Sequence, residues 1–169
     1  EYMKQNQAVV IQVNGGGSGT GIAALINGTV DLAQSSRPMK PGEKEDVERN
    51  RNAKLNETPV ALDALAVFVN EASPVQSLTI DQLAQIYTGK VTNWNQVGGT
   101  NAPVVLYGRE NSSGTYEYFK EHVLNKADFA PRTQTLQGTA AVINAVARDR
   151  NGIGYGGIAY AQGVRAIGV

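Results

Sequence analysis

The sequence predicts an α/β fold, and two observations carry that prediction. Short β-branched apolar runs alternate with stretches of helical pattern from one end of the chain to the other. Three of those runs lead into loops rich in glycine and hydroxyl side chains: Gly15–Gly21 (GGGSGTG), Ser35–Pro38 (SSRP) and Arg109–Thr115 (RENSSGT). Each loop falls at the carboxyl end of a predicted strand, where open α/β sheets place their ligands. No repeat of solenoid period competes with this reading.

Taken in order, Glu1 to Gln7 reads as the last turns of a helix whose beginning is absent. Ala8 to Val13 (AVVIQV) has the pattern of a buried strand. The first glycine-rich loop follows, then Ile22 to Ile26 as a short helix ended by Asn27-Gly28. Thr29 to Ala33 reads as a second short strand. A polar helix is expected within Pro41 to Lys54, with Pro41 near its start and Glu43, Glu45 and Asp46 in its early turns. It presents a solvated face with no assigned chemistry. Thr58 to Asn70 (TPVALDALAVFVN) is almost continuously apolar, and Pro59 and the valines favour an extended segment buried on both sides over a helix. Thr79 to Tyr87 reads as a capped amphipathic helix with Ile80, Leu83, Ala84 and Tyr87 on one face, stopped by Gly89. Lys90 to Gly99 is a turn-rich connector. Pro103 to Tyr107 is a strand, and Tyr116 to Leu124 a helix. Ala127 to Gln137 is mostly polar, Gly138 to Arg148 a helix, and Asn151 to Gly157 a tight glycine-rich turn. Ile158 to Gln162 and Val164 to Val169 close the chain as a short helix and an apolar strand.

Composition narrows the function. With 15 basic and 15 acidic residues in 169, no net field argues for nucleic acid or an anionic membrane surface. Any bound anion must be selected by local dipoles and one or two arginines. The absence of cysteine excludes disulfides, thiolate metal sites and a cysteine nucleophile, and leaves the compartment open. No apolar run is long enough to span a bilayer as a helix, and no signal peptide is visible.

The Arg109–Thr115 stretch carries the most chemistry. The start of a helix presents unpaired N–H groups and partial positive charge, a ready anion site. Ser113 or Thr115 can cap this helix, Gly114 lets its backbone approach a ligand, and a guanidinium grips phosphate or carboxylate with two parallel hydrogen bonds. Together they make a cradle for a tetrahedral oxyanion, with a capped helix beside a surface arginine as the plainer alternative. Gly15–Gly21 is not a P-loop, because no lysine follows the glycines. Gly19–Ala24 matches the loose dinucleotide fingerprint, but Asp31 comes too soon for its acidic partner. Anion capture by Ser18 and the N–H groups after it fits better. Ser35–Pro38 reads either as an ordinary turn or as a third hydroxyl cluster with an arginine.

Enzyme signatures are weak. His122, the single histidine, sits between charged residues in a predicted helix and reads as a surface residue. Neither Ser18 nor Ser113 fits a nucleophile elbow, and no His, Asp or Glu cluster has metal-ligand spacing. No catalytic residue, metal or cofactor is assigned. Tyr155 and Tyr160 read as packing, and Trp94 as buried rather than as a platform for a ligand.

At these residues the chain resembles the phosphate-binding proteins of high-affinity ABC phosphate importers. The matching stretches are Gly15–Gly21, Val30–Pro38 (VDLAQSSRP), Gln85–Trp94 (QIYTGKVTNW), Arg109–Thr115 and Ile153–Ala161 (IGYGGIAYA), whose order and spacing span essentially the whole chain. The resemblance implies a two-lobed, type II periplasmic-binding-protein fold with inorganic phosphate clamped in the cleft between lobes. Residues 1–66 are then a partial first lobe and residues 67–169 a nearly whole second one. The implied ligand set is Ser18 and Ser36 from the first lobe and Arg109, Ser113, Gly114 and Thr115 from the second, with Gly17, Gly19 and Arg37 as possible additions. Some relatives carry an aspartate where Ser36 stands, accepting a proton from phosphate and rejecting sulfate; Arg37 beside it is expected to add charge instead. An aspartate two positions after the arginine can orient it, so Asn111 is expected to leave Arg109 less neutralised. Against the family, an opening strand before Glu1 and a return segment after Val169 are expected to be lacking. The implied role is an extracytoplasmic receptor, free in the periplasm or lipid-anchored, monomeric and non-enzymatic, that hands phosphate to an ABC permease. A phosphate-ester hydrolase and a sensing or adhesion module on the same fold are the alternatives.

Overall fold

The computed structural model describes residues 1–169, an α/β arrangement. Helices α1 (Tyr2–Gln5), α2 (Ser18–Ile26) and α3 (Pro41–Arg51) precede strand β1 (Leu65–Asn70). They are followed by α4 (Ile80–Tyr87), β2 (Val105–Arg109), α5 (Gly114–His122), β3 (Gln134–Leu136), α6 (Thr139–Arg148), β4 (Gly152–Gly157) and β5 (Val164–Ile167). The five strands form one sheet in the order β3-β2-β4-β1-β5. β2 runs parallel to β3 and β4, while β1 is antiparallel to β4 and β5.

Period-two alternation along β1 divides the core between the two faces of the sheet. Val67 and Val69 pack with Leu83, Ile86 and Tyr87 of α4 and Phe119 of α5. Phe68 faces the other way, onto Val142, Ile143 and Val146 of α6. The Phe119 and Tyr155 rings stack with centroids 4.0 Å apart, fixing α5 to the centre of the sheet. The start of α5 is therefore anchored to rigid structure.

Local signals place several elements as expected. Thr79 accepts the Gln82 N–H, and the Gln82 side chain returns to the Thr79 N–H, a reciprocal cap that starts α4. Pro41 occupies the first turn of α3, and Gly89 takes the positive φ of +83° needed to leave α4. The buried face of α4 is rotated from the expected one: Ile80 is exposed and Ile86 is buried. As the first helical residue, Ile80 has no preceding turn to lie against.

The remaining expectations require correction. Ala8–Val13, Thr29–Ala33 and the first part of Thr58–Asn70 are not strands, and Val10, Val13, Leu32, Val60 and Leu62 are exposed. Apolar, β-branched sequence makes a segment able to pair, but a strand exists only where another backbone completes its ladder. No strand of this sheet lies beside these segments. Helix α2 begins at Ser18 rather than Ile22, absorbing most of the loop, and β1 begins at Leu65. Gly152–Gly157, expected within a turn, is the central strand β4. Its glycines let α6 lie close to the sheet, since a Cβ on Gly154 would stand 2.6 Å from Val142 Cγ1. β3, hidden in the polar stretch after α5, is a short edge strand bonded to β2 alone.

Candidate functional site

Three segments far apart in sequence meet at the start of α5. The Ser18 and Ser36 hydroxyls lie 3.2 Å apart, and the Ser36 N–H donates to Ser18 Oγ at 3.1 Å. Both hydroxyls face Gly114, where an added Cβ would stand 2.5 Å from each oxygen. Next to them the Gly19 N–H donates to the Ser112 carbonyl at 2.8 Å, and a Cβ on Gly17 would overlap that carbonyl. Ser18, Ser36 and Gly114, with Gly17 and Gly19 beside them, thus form one cluster.

Ser113 is the N-cap of α5: its buried hydroxyl accepts the Tyr116 N–H at 3.3 Å, leaving its own proton free to donate. Thr115 stands half-buried in the first helical turn, and the N–H groups of this turn have no intrahelical acceptor. Hydroxyls that can donate, orphan N–H groups and the positive end of a helix dipole suit an oxyanion. No group of three His, Cys, Asp or Glu side chains is arranged to hold a metal ion.

Arg109 ends β2, but its guanidinium does not reach the hydroxyl cluster for its hydrogen bonds. Nε donates to Glu110 Oε2 and Nη2 to Glu110 Oε1, both at 2.9 Å, and Nη1 donates to Thr139 Oγ1 at 2.8 Å. The expectation that Asn111 leaves this arginine poorly neutralised is corrected, because Glu110 supplies a bidentate carboxylate from the adjacent position. The backbone is held too: the Arg109 N–H donates to the Tyr155 hydroxyl at 3.3 Å. Burial raises the pKa of that phenol, so it stays neutral. A cleft of about 410 Å³ opens beside Arg109, Glu110, Tyr116 and Thr133.

Arg37 does not add free charge to the cluster. Its Nη1 and Nη2 donate to Glu43 Oε2 and Oε1 at 2.9 and 2.7 Å, and Nη1 also reaches the Pro38 carbonyl. Nε lies 2.5 Å from Glu117 Oε2, a second ion pair for the same guanidinium. Lys40 pairs with the other Glu117 oxygen. These pairs clasp the 37–43 segment to α5.

The two glutamates make a pH prediction. The Arg37 hydrogen bond, opposed by burial, holds Glu43 below its ordinary value. For Glu110, burial pushes upward, but the Arg109 bonds and charge and the Gly138 N–H bring it net below. A depressed folded pKa means stability that is fully present above the unfolded value of about 4.3 and lost as pH falls through the folded one. Melting temperature should therefore decline as pH falls below about 4.3, and Glu43→Gln should make that decline shallower. Superimposable profiles for parent and variant would remove Glu43 from this explanation.

Several residues the sequence singled out lie away from the cluster. Trp94 is buried, its Nε1 donating to the Asn151 carbonyl, and His122 is exposed against Tyr118. Sequence reasoning missed Glu110, Thr139 and the Tyr155 hydroxyl. Adjacency to Arg109 was a usable signal for Glu110; nothing local points from Thr139 or Tyr155 to Arg109.

Comparison with known proteins adds the family. A PBP superfamily domain matches residues 1–167. The chain belongs to that superfamily. It is 40% identical over 172 residues to the phosphate-binding protein PstS of Pseudomonas aeruginosa, covering 95% of this chain and 53% of that protein. Protein SphX of Synechococcus elongatus is 39% identical, covering 95% of this chain and 49% of its own length. Among solved structures, a phosphate ABC transporter substrate-binding protein with bound phosphate from Clostridium perfringens is 33% identical with a TM-score of 0.88. That match covers 98% of this chain and 66% of the neighbour. An ABC-type phosphate transport receptor from Vibrio cholerae is 32% identical with a TM-score of 0.75, covering 98% of this chain and 67% of the neighbour. The chain spans about half the length of the curated relatives it matches.

Proposed function

We propose that this chain forms the anion-capturing part of an extracytoplasmic receptor that binds inorganic phosphate and delivers it to an ABC permease. The observation that carries the reading is the meeting of Ser18, Ser36 and Gly114 at the start of α5, in a chain whose relatives are named for phosphate binding. Ser18, Ser36, Ser113 and Thr115 supply hydroxyls, Gly114 and Thr115 supply backbone N–H groups, and Arg109 supplies charge. Gly17 and Gly19 shape the approach rather than bind, and Arg37 acts as a clasp. Two lobes, divided just before β1 because its ladder with β4 and β5 holds Leu65–Asn70 in the second lobe, close on the anion about a hinge in the chain preceding that strand, and the permease engages the closed, monomeric form. The receptor lies outside the cytoplasm, free in the periplasm or held at the cell surface by a lipid anchor, and no helix of this chain is long and apolar enough to cross a membrane. The reading is binding without turnover.

A serine hydroxyl both donates and accepts, so Ser36 can accept a hydrogen bond from the P–OH of hydrogen phosphate, an interaction sulfate does not offer. A serine is a weaker acceptor than a carboxylate, so preference for phosphate should persist but be modest. Calorimetry on the full-length protein, stripped of endogenous anion, tests both statements with phosphate, sulfate, molybdate and a phosphate monoester. Tight phosphate binding with an intact monoester supports the reading. Equal sulfate affinity would make it a general oxyanion receptor, and silence toward all four would end the phosphate reading.

A further inference from the structure

Arg109 is tied to a helix that the proposed anion site does not include. The guanidinium has five N–H donors, of which Glu110 takes two and Thr139 one. Two remain, one on each terminal nitrogen, the number a bidentate oxyanion contact uses. Glu110 is itself secured at the same place, since its Oε2 accepts the N–H of Gly138, the N-cap of α6, at 3.3 Å. Both partners of Arg109 therefore converge on Gly138–Thr139, although neither residue touches the hydroxyl cluster.

The seat of Thr139 is shaped by β4. A Cβ on Gly156 would overlap the Thr139 Cγ2 methyl, whereas Thr139 Cβ and Oγ1 would both lie 3.4 Å away. Thr139 is thus fixed from two sides, its methyl against a bare glycine backbone and its hydroxyl oxygen under Arg109 Nη1. A carboxylate on the Nε edge alone leaves the far nitrogen of the guanidinium without a partner; Thr139 holds that end.

We propose that Thr139 is a positioning residue for the anion site, and that Gly156 in the glycine-rich strand exists to seat it. The inference rests on the phosphate-binding reading. In it, Thr139 and Glu110 together fix the guanidinium so that its two spare N–H groups meet the oxyanion without first losing rotational freedom.

Thr139→Val keeps the shape and removes the acceptor. In the full-length protein it should weaken phosphate binding by up to roughly tenfold, because a guanidinium left loose at that end must be immobilised by the anion. The bond is formed without phosphate too, so the melting temperature should fall slightly as well. Thr139→Ser restores the hydroxyl and should bind as the parent does. Gly156→Ala should weaken binding by displacing the threonine methyl, and Thr139→Ser in the Gly156→Ala background should recover it, because the overlapping methyl is gone. Parent affinity in Thr139→Val, or equal weakness in Thr139→Val and Thr139→Ser, would overturn the proposal while leaving phosphate binding intact. Failure of the Gly156→Ala double variant to recover would overturn the role of Gly156. If Gly156→Ala does not fold, the Val and Ser comparison decides for Thr139 without it. A parent that ignores phosphate would instead overturn the binding reading itself, and this inference with it.

Discussion

Arg109→Ala should weaken phosphate binding by at least about a hundredfold, because two charge-assisted hydrogen bonds are lost at roughly 1.5–3 kcal/mol each. The loss has a second source. Glu110 is largely buried, with its side chain 18% exposed, and the guanidinium supplies two of its hydrogen bonds. Without Arg109 that carboxylate stands uncompensated beside an incoming anion and repels it. The variant Arg109→Ala with Glu110→Gln should therefore bind better than Arg109→Ala alone, although still worse than the parent. Titration calorimetry of the three proteins separates the two contributions. Parent-like affinity in Arg109→Ala would remove the arginine from the site.

The local charges make this sensitivity intelligible. Arg109 is matched by Glu110, and Arg37 and Lys40 are matched by Glu43 and Glu117. No surplus cation remains among these groups to attract an anion from a distance. Capture then depends on short-range donors, the hydroxyls, the first-turn N–H groups of α5 and the two spare N–H groups of Arg109. Donors of this kind act only within hydrogen-bonding distance, so small displacements matter.

What was legible in the sequence follows the range of the interaction involved. Helix α4 was readable because Thr79 and Gln82 complete their cap within four residues. The Ser113–Gly114–Thr115 start was readable for the same reason. Ala8–Val13 and Thr29–Ala33 were misread because pairing depends on a second backbone, which a local apolar pattern does not report. β4 was misread in the opposite direction. Its glycines signal a turn locally, but their purpose is close approach of α6, whose Val142 and Thr139 would meet any side chain at Gly154 and Gly156. The candidate site divides likewise: its serines stood out as loop residues, whereas the partners of Arg37 were not anticipated. A free guanidinium beside Ser36 and one clasped by Glu43 and Glu117 have the same local sequence.

Gly114→Ala should separate capture from folding. Its added Cβ would stand 2.5 Å from both Ser18 Oγ and Ser36 Oγ, well inside any real contact, so one side of the cluster must move away. The backbone imposes no such penalty. Gly114 is the first residue of α5 and lies outside the positive-φ glycines, so alanine fits its conformation. Alanine is also the better helix former, by up to about 1 kcal/mol in a helix interior and less at its first turn. The sheet and α5 should therefore melt at or slightly above the parent temperature in the absence of phosphate. Phosphate affinity should fall by about a hundredfold or more, since the anion would forfeit its hydrogen bonds from the two displaced serines. A variant that binds like the parent would mean that Ser18 and Ser36 do not share an anion with α5. A variant that melts well below the parent would mean that this contact supports the fold as well. The combination of retained stability and lost affinity is the signature of a surface where two segments meet around a ligand, since only there does one methyl group obstruct binding without disturbing a core.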